Sequence, residues 1–112
     1  MNVSARNSKS QAFAGLTSEE ILKMITVFRF FKEVESVILF GSRAMGNFKR
    51  GSDVDLALLG LRVDEKTLFQ VHHKLEEETL LPYFFDVLIY EKVTNSDLLK
   101  HIDKYGKIIY KK

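Results

Sequence analysis

The sequence predicts an α/β (α+β) domain in which a small mixed β-sheet carries helices packed on it. Three observations point there. The 112 residues sit inside the usual range for one domain, and 46% of them are hydrophobic, enough for a real core. Apolar, β-branched runs bounded by turn residues alternate with stretches of helical periodicity. The order is helix, strand, strand, helix, strand, helix. Two strands in succession, then a crossover helix and a third strand, call for both antiparallel and parallel pairing.

Residues 1–15 are polar and without periodicity, and read as a disordered tail; the domain is expected over 16–112. Thr17-Ser18-Glu19-Glu20 reads as a capping box, with Thr17 at the cap and Glu20 reaching back. A helix should run from about 18 to 32. Its apolar positions, Ile21 to Phe31, spread well beyond the roughly 100° stripe that one core needs. Either the helix is buried all round, or part of it meets another chain. Val34–Phe40 reads as a strand stopped by Gly41, and Ser52–Leu59 as a second between Gly51 and Gly60. Asp64 caps a helix from about 65 to 80, with Leu68, Val71 and Leu75 on one stripe and Pro82 beyond its end. Phe84–Tyr90 is the third strand. Ser96 is expected to cap a short helix that ends at Gly106. The final IIYKK suits an edge strand or a docked tail.

Composition narrows the function classes. Seventeen Lys and Arg against fifteen Asp and Glu give a net charge of +2, too mild to imply nucleic acid or an anionic membrane. Cysteine is absent, which excludes disulfides and thiolate metal sites and fits a reducing compartment. No apolar run approaches the length of a membrane span. The N-terminus lacks the apolar segment of a secretory signal; a transit peptide is the minor alternative to a tail, and a cytoplasmic location is expected.

The chemistry concentrates in GSRAMGNFKRGSDVDLALLG, residues 41–60. Gly41 has no side chain, so a phosphate can approach the backbone closely. If residues 42–46 begin a helical turn, free N–H groups and the Ser42 hydroxyl face the same point and form an anion site. Taken alone, Gly41-Ser42 is more often an ordinary turn. Asp53 and Asp55 lie two apart on a strand, so both carboxylates project from one face while Val54, Leu56 and Leu58 turn to the core. Such a pair repels itself unless a cation such as Mg²⁺ intervenes, and Mg²⁺ favours a few carboxylates plus substrate phosphates. Asp86 interrupts the apolar run Phe84–Leu88, which is costly unless the side chain is liganded or lies at an exposed strand edge. Were the third strand beside the second, Asp86 would join Asp53 and Asp55 in a two-metal site suited to nucleotidyl transfer.

Gly41-Ser42, ten residues, then Asp53-Val54-Asp55 resembles the signature of the DNA polymerase β-like nucleotidyltransferase superfamily. The fuller string resembles its minimal nucleotidyltransferases, the MNT or MntA-like proteins. The resemblance covers the chain from about residue 17. It implies that Asp53 and Asp55 bind two Mg²⁺ ions, and that Asp86 holds one of them and acts as base toward the acceptor hydroxyl. Gly41 and Ser42 would cradle the β- and γ-phosphates of ATP. Arg43 would support the phosphates or the loop, and Ser52 is counted with the nucleotide-binding residues. The resemblance further implies transfer of AMP, an adjacent-gene HEPN-type helical protein as partner, modification of its tyrosine, and an antitoxin role. Homodimer and heterotetramer are the candidate assemblies, and the broad apolar face of the first helix suits such a partner or a homodimer.

Other readings remain at this level. A non-catalytic nucleotide-binding antitoxin would act by complex formation alone. A transferase acting on small antibiotics or nucleic acid fits the size and charge less well. Lys49 and Arg50 could meet triphosphate or be plain loop cations. His72, with Glu76 at i+4, could ligate a metal, but His72, His73 and His101 read better as solvated helix positions. Tyr105 and Tyr110 read as packing residues, with a modified hydroxyl as the alternative for either.

Overall fold

The structure, a computed structural model, describes residues 13–112. Helix α1 spans Ser18–Arg29, shorter than the expected 18–32 because the chain leaves the helix at Phe30. The capping box is formed as expected: the Glu20 N–H donates to the Thr17 hydroxyl and the Thr17 N–H to the Glu20 carboxylate. Strand β1 is Ser36–Phe40. A short helix α2, Gly41–Met45, follows without a linker, as the helical turn expected at 42–46. Then come β2 (Val54–Leu59), α3 (Glu65–Glu77), β3 (Phe85–Ile89), α4 (Ser96–Tyr105) and β4 (Lys107–Lys111). Asp64 caps α3 through the Thr67 N–H. The cap of α4 is Asn95, one residue before the expected Ser96: the Asn95 side chain accepts from the Leu98 N–H. The terminal IIYKK resolves as strand β4 rather than as a docked tail.

The sheet is mixed, in the order β3-β2-β1-β4. β1 pairs antiparallel with β2 and with β4, and β2 pairs parallel with β3. The loop at 46–53 joins antiparallel neighbours without being a tight hairpin, which leaves room for α2. The α3 crossover carries the chain from β2 to the parallel β3.

Strand alternation divides the sheet into two unlike faces. Val37 and Leu39, then Val54, Leu56 and Leu58, then Phe85 and Ile89 point to the face covered by α1 and α3. There they meet Met24, Phe28, Val71 and Leu75, most of them fully buried. Among the described residues, the opposite face is covered by α4. Its buried residues are Phe40, Ala57 and Ile102, with Ile38, Leu88 and Leu98 partly buried around them. Asp55 and Asp86 belong to this second face.

The described chain starts with a turn that the sequence reading assigned to the tail. The Phe13 and Leu16 backbones hydrogen-bond to each other in both directions, with Ala14 and Gly15 at positive φ between them. A side chain on Gly15 would run into Phe48 and Arg43, so this turn is packed against the loop before β2. The remainder of the expected tail lies outside the described residues. Among the described residues, no helix is long and apolar enough to cross a membrane.

The wide apolar stripe of α1 divides. Met24, Val27 and Phe28 are buried and Ile21 and Ile25 partly so, while Leu22 and Phe30 stand 59% and 69% exposed. Burial all round is therefore excluded, and an apolar remainder faces outward.

Candidate active site

The site forms where β1 ends. Phe40 pairs with Asp55 across the antiparallel ladder, and Asp55 pairs with Asp86 across the parallel one. Three adjacent strands thus bring the Gly41 turn, Asp55 and Asp86 into one row on the α4 face. Asp53 lies just before β2, two residues from Asp55 and on the same side by alternation. Asp53 and Asp86 are exposed, and Asp55 is half-buried between them.

Gly41 is at φ +77°, and a Cβ there would collide with the Asp55 carboxylate. No other residue type could sit here without moving that side chain. The two halves of the sequence signature are therefore in direct contact: the turn expected to meet phosphates rests against the carboxylate expected to meet metal.

Electrostatics mark Asp55 further. Its pKa is raised from the ordinary 3.8 to about 6, chiefly by burial and then by the nearby Asp86 and Asp53, with the Arg43 guanidinium working against them. Among the described residues, no three His, Cys, Asp or Glu side chains stand close enough to hold an ion between them. The three-carboxylate cluster expected from the sequence is thus aligned on one face but not closed around a point. The donor set is nevertheless all oxygen and shares one face, and it fits Mg²⁺, which completes its shell with substrate phosphate and water.

Arg43 resolves to one of its two expected roles. Its side chain is buried, donating from Nε and Nη2 to the Ser52 carbonyl at 3.0 and 2.8 Å and from Nη1 to the Ala14 carbonyl at 2.9 Å. The Phe48 and Tyr83 rings lie against it, their centroids 5.1 and 4.8 Å away. This guanidinium holds the loop. Ser52 is likewise engaged: its hydroxyl accepts from the Lys49 N–H at 2.9 Å. Both residues fix the approach of the chain to Asp53. Lys49 and Arg50 are exposed.

Two features differ from the sequence reading. His72 and Glu76 do not simply face solvent. They grip the start of β3: Glu76 accepts from the Phe85 N–H at 2.8 Å, and His72 Nε2 meets the Phe85 carbonyl at 2.9 Å. Together they replace the missing neighbour strand at that residue and steady the backbone beside Asp86. Their i,i+4 spacing was the visible signal; what they hold was not visible. His101 is not a solvated position either. Its Nε2 accepts from the Gly41 N–H at 2.9 Å, across sixty positions of sequence, with Phe40 and Tyr105 packed around the ring. Nothing local could have signalled that contact. Tyr110 is buried against Phe28, as a packing residue.

Solved structures share the fold. A toxin-antitoxin structure with AMP-PNP superposes with a TM-score of 0.67 at 23% identity, over 82% of this chain and 73% of that one. A structure of tri-AMPylated Shewanella oneidensis HEPN toxin in complex with MNT antitoxin gives 0.63 at 20% identity, over 84% and 71%. A Sulfolobus solfataricus protein described as a nucleotidyltransferase gives 0.52 at 21% identity, over all of this chain and 91% of its own. No curated protein is significantly similar in sequence. The family model of polymerase beta nucleotidyltransferases matches residues 22–112, which takes in the Gly41 turn, all three aspartates, and the clamps that His72 with Glu76 and His101 place on the backbone. On that match the chain belongs to the polymerase beta nucleotidyltransferase family.

Proposed function

We propose that this protein transfers a nucleoside monophosphate, AMP from ATP, to a hydroxyl of a partner protein of HEPN type, a tyrosine being the favoured acceptor, and that it acts as an antitoxin in the cytoplasm. The observation that carries the reading is the contact of Gly41 with Asp55 in the strand row that also holds Asp86. The family supports the reaction class. The fold shared with a toxin-antitoxin structure holding AMP-PNP, and with a complex of AMPylated HEPN toxin, favours this nucleotide and this partner.

Asp53, Asp55 and Asp86 would hold Mg²⁺, which supplies charge neutralisation at the phosphates and lowers the acceptor's resistance to deprotonation. The rest falls to the chain. Ser42 and the Gly41 turn receive the β- and γ-phosphates. Arg43, locked to Ser52 and Ala14, holds the loop so that Asp53 stays opposite that turn. Asp86, exposed at the sheet's edge, takes the acceptor's proton. The acceptor oxygen then bonds to the α-phosphorus, the bond from that phosphorus to the β-phosphate oxygen breaks, and pyrophosphate leaves.

The test mixes the protein, Mg²⁺, α-labelled ATP and the product of the adjacent gene. Label is expected on the partner, and none with the Asp53→Ala/Asp55→Ala double variant. Absence of both transfer and ATP binding in the wild type would sink the proposal. Exposed Leu22 on α1 and Phe30 just beyond its end, with Phe69 on α3, favour a second reading in which complex formation alone neutralises the partner. Neutralisation that survives loss of both aspartates would select it.

A further inference from the structure

His101 stands outside the sequence signature, on α4, yet among the described residues its side chain hydrogen-bonds to the first residue of that signature. Because the Gly41 N–H donates to Nε2, that nitrogen is the lone-pair side of the ring, and the neutral tautomer carries its proton on Nδ1. The ring is held on two sides: Phe40 meets it edge-on at 6.1 Å between centroids, and Tyr105, one turn further along α4, lies at 5.4 Å. Gly41 in turn has no freedom on its far side, where Asp55 fills the space a Cβ would need. The Gly41 peptide is therefore clamped between an imidazole on one helix and a carboxylate on one strand.

We propose that His101 is a positioning residue for the nucleotide's polyphosphate tail: by holding the Gly41 N–H, it keeps the Gly41-Ser42 turn closed onto Asp55, at the separation that one phosphate chain must bridge. This rests on the proposed nucleotidyl transfer and adds a residue to it. It also reassigns Gly41. Its N–H belongs to His101, so the phosphate contacts of the turn fall to Ser42, and Gly41 contributes closeness rather than a donor. Without the acceptor on His101, a half-buried N–H is left unpaired, and the turn relaxes toward solvent to find water.

The experiment compares His101→Phe with His101→Gln. Phenylalanine keeps the ring packing on Phe40 and Tyr105 but has no acceptor; the glutamine amide oxygen can reach about where Nε2 stands. Mg²⁺-ATP binding is measured directly, by calorimetry, together with the melting temperature, so no partner protein is needed. About tenfold weaker binding is expected for His101→Phe, with affinity within about threefold of wild type for His101→Gln and similar melting for both. Equal ATP affinity in wild type and both variants overturns the inference while leaving the transferase reading intact. A wild type that binds no nucleotide overturns both. Hydrogen exchange at the Gly41 amide of the unaltered protein checks the premise separately: protection is expected, and exchange at the unprotected rate overturns it even if a variant fails to fold.

Discussion

The two faces of the sheet differ in what they bury. Among the described residues, the α1/α3 face gathers seventeen buried apolar residues in one cluster, against three on the α4 face, which marks the first as the stabilising side. The thin face tolerates what the thick one could not: a half-buried aspartate raised to a pKa of about 6, with two more aspartates near it. Stability and chemistry are thus divided across a single layer of backbone. Residue 54 serves one side and residue 55 the other.

Substitutions on each face can break or sharpen that division. Phe28→Ala, in the thick core against Tyr110, is expected to cost about 3–5 kcal/mol of unfolding free energy in denaturant titration. Transfer per folded molecule should stay at the wild-type level, and a parallel fall would mean that the faces are not independent. Gly41→Ala should cost about 1–3 kcal/mol, from the left-handed φ and the collision with Asp55, and should lower ATP affinity as well. Wild-type affinity there would show that the close approach is dispensable.

Asp55→Asn carries the opposite sign. Removing a desolvated charge should stabilise the apo protein at pH 7.5 by on the order of 1 kcal/mol after allowance for solvent screening, while abolishing transfer. A destabilised variant would contradict the assigned strain. The smallest effect is its pH dependence. The folded pKa is raised above the unfolded 3.8, so the protonated Asp55 adds stability that is complete below about pH 4 and lost as pH rises through about 6. The melting temperature of wild type should therefore fall relative to Asp55→Asn across that window, and Mg²⁺ at pH 7.5 should restore it in wild type only. Parallel melting curves over pH 4–7 would remove Asp55 as the strained group.

How much of this was legible depended on the range of each interaction. The capping box of Thr17 and Glu20, the Asp64 cap and the alternation of Val54-Asp55-Leu56 are local, and each was readable from neighbouring residues. The mixed sheet followed from the same patterns, but the three expected strands are each two residues shorter in the structure, at Ser36–Phe40, Val54–Leu59 and Phe85–Ile89. Asp86 was found because an acid inside an apolar run needs a reason, and its register with Asp55 supplied one. The clamps were beyond that kind of reading. Which backbone group His101 or His72 would reach depends on how α4 and α3 lie against the strands, and that is set by packing of the whole core. Arg43 was half-legible: its place after Gly41-Ser42 marked it, but the acceptors that turned it inward are backbone carbonyls, which every residue carries and no pattern distinguishes. The contact of Ala14 with Arg43 was hidden for the same reason, since Ala14 contributes only its carbonyl.

That carbonyl sets where the protein can be shortened. A fragment trimmed to begin at Leu16, where composition invites the cut, would strip one acceptor from a buried guanidinium and remove the turn that Phe48 packs against. The damage would surface at Ser52 and the carboxylates beyond it, far along the chain from the cut. Anything that grasps or clips the turn at residues 13–16 therefore acts on the loop that leads to the candidate site.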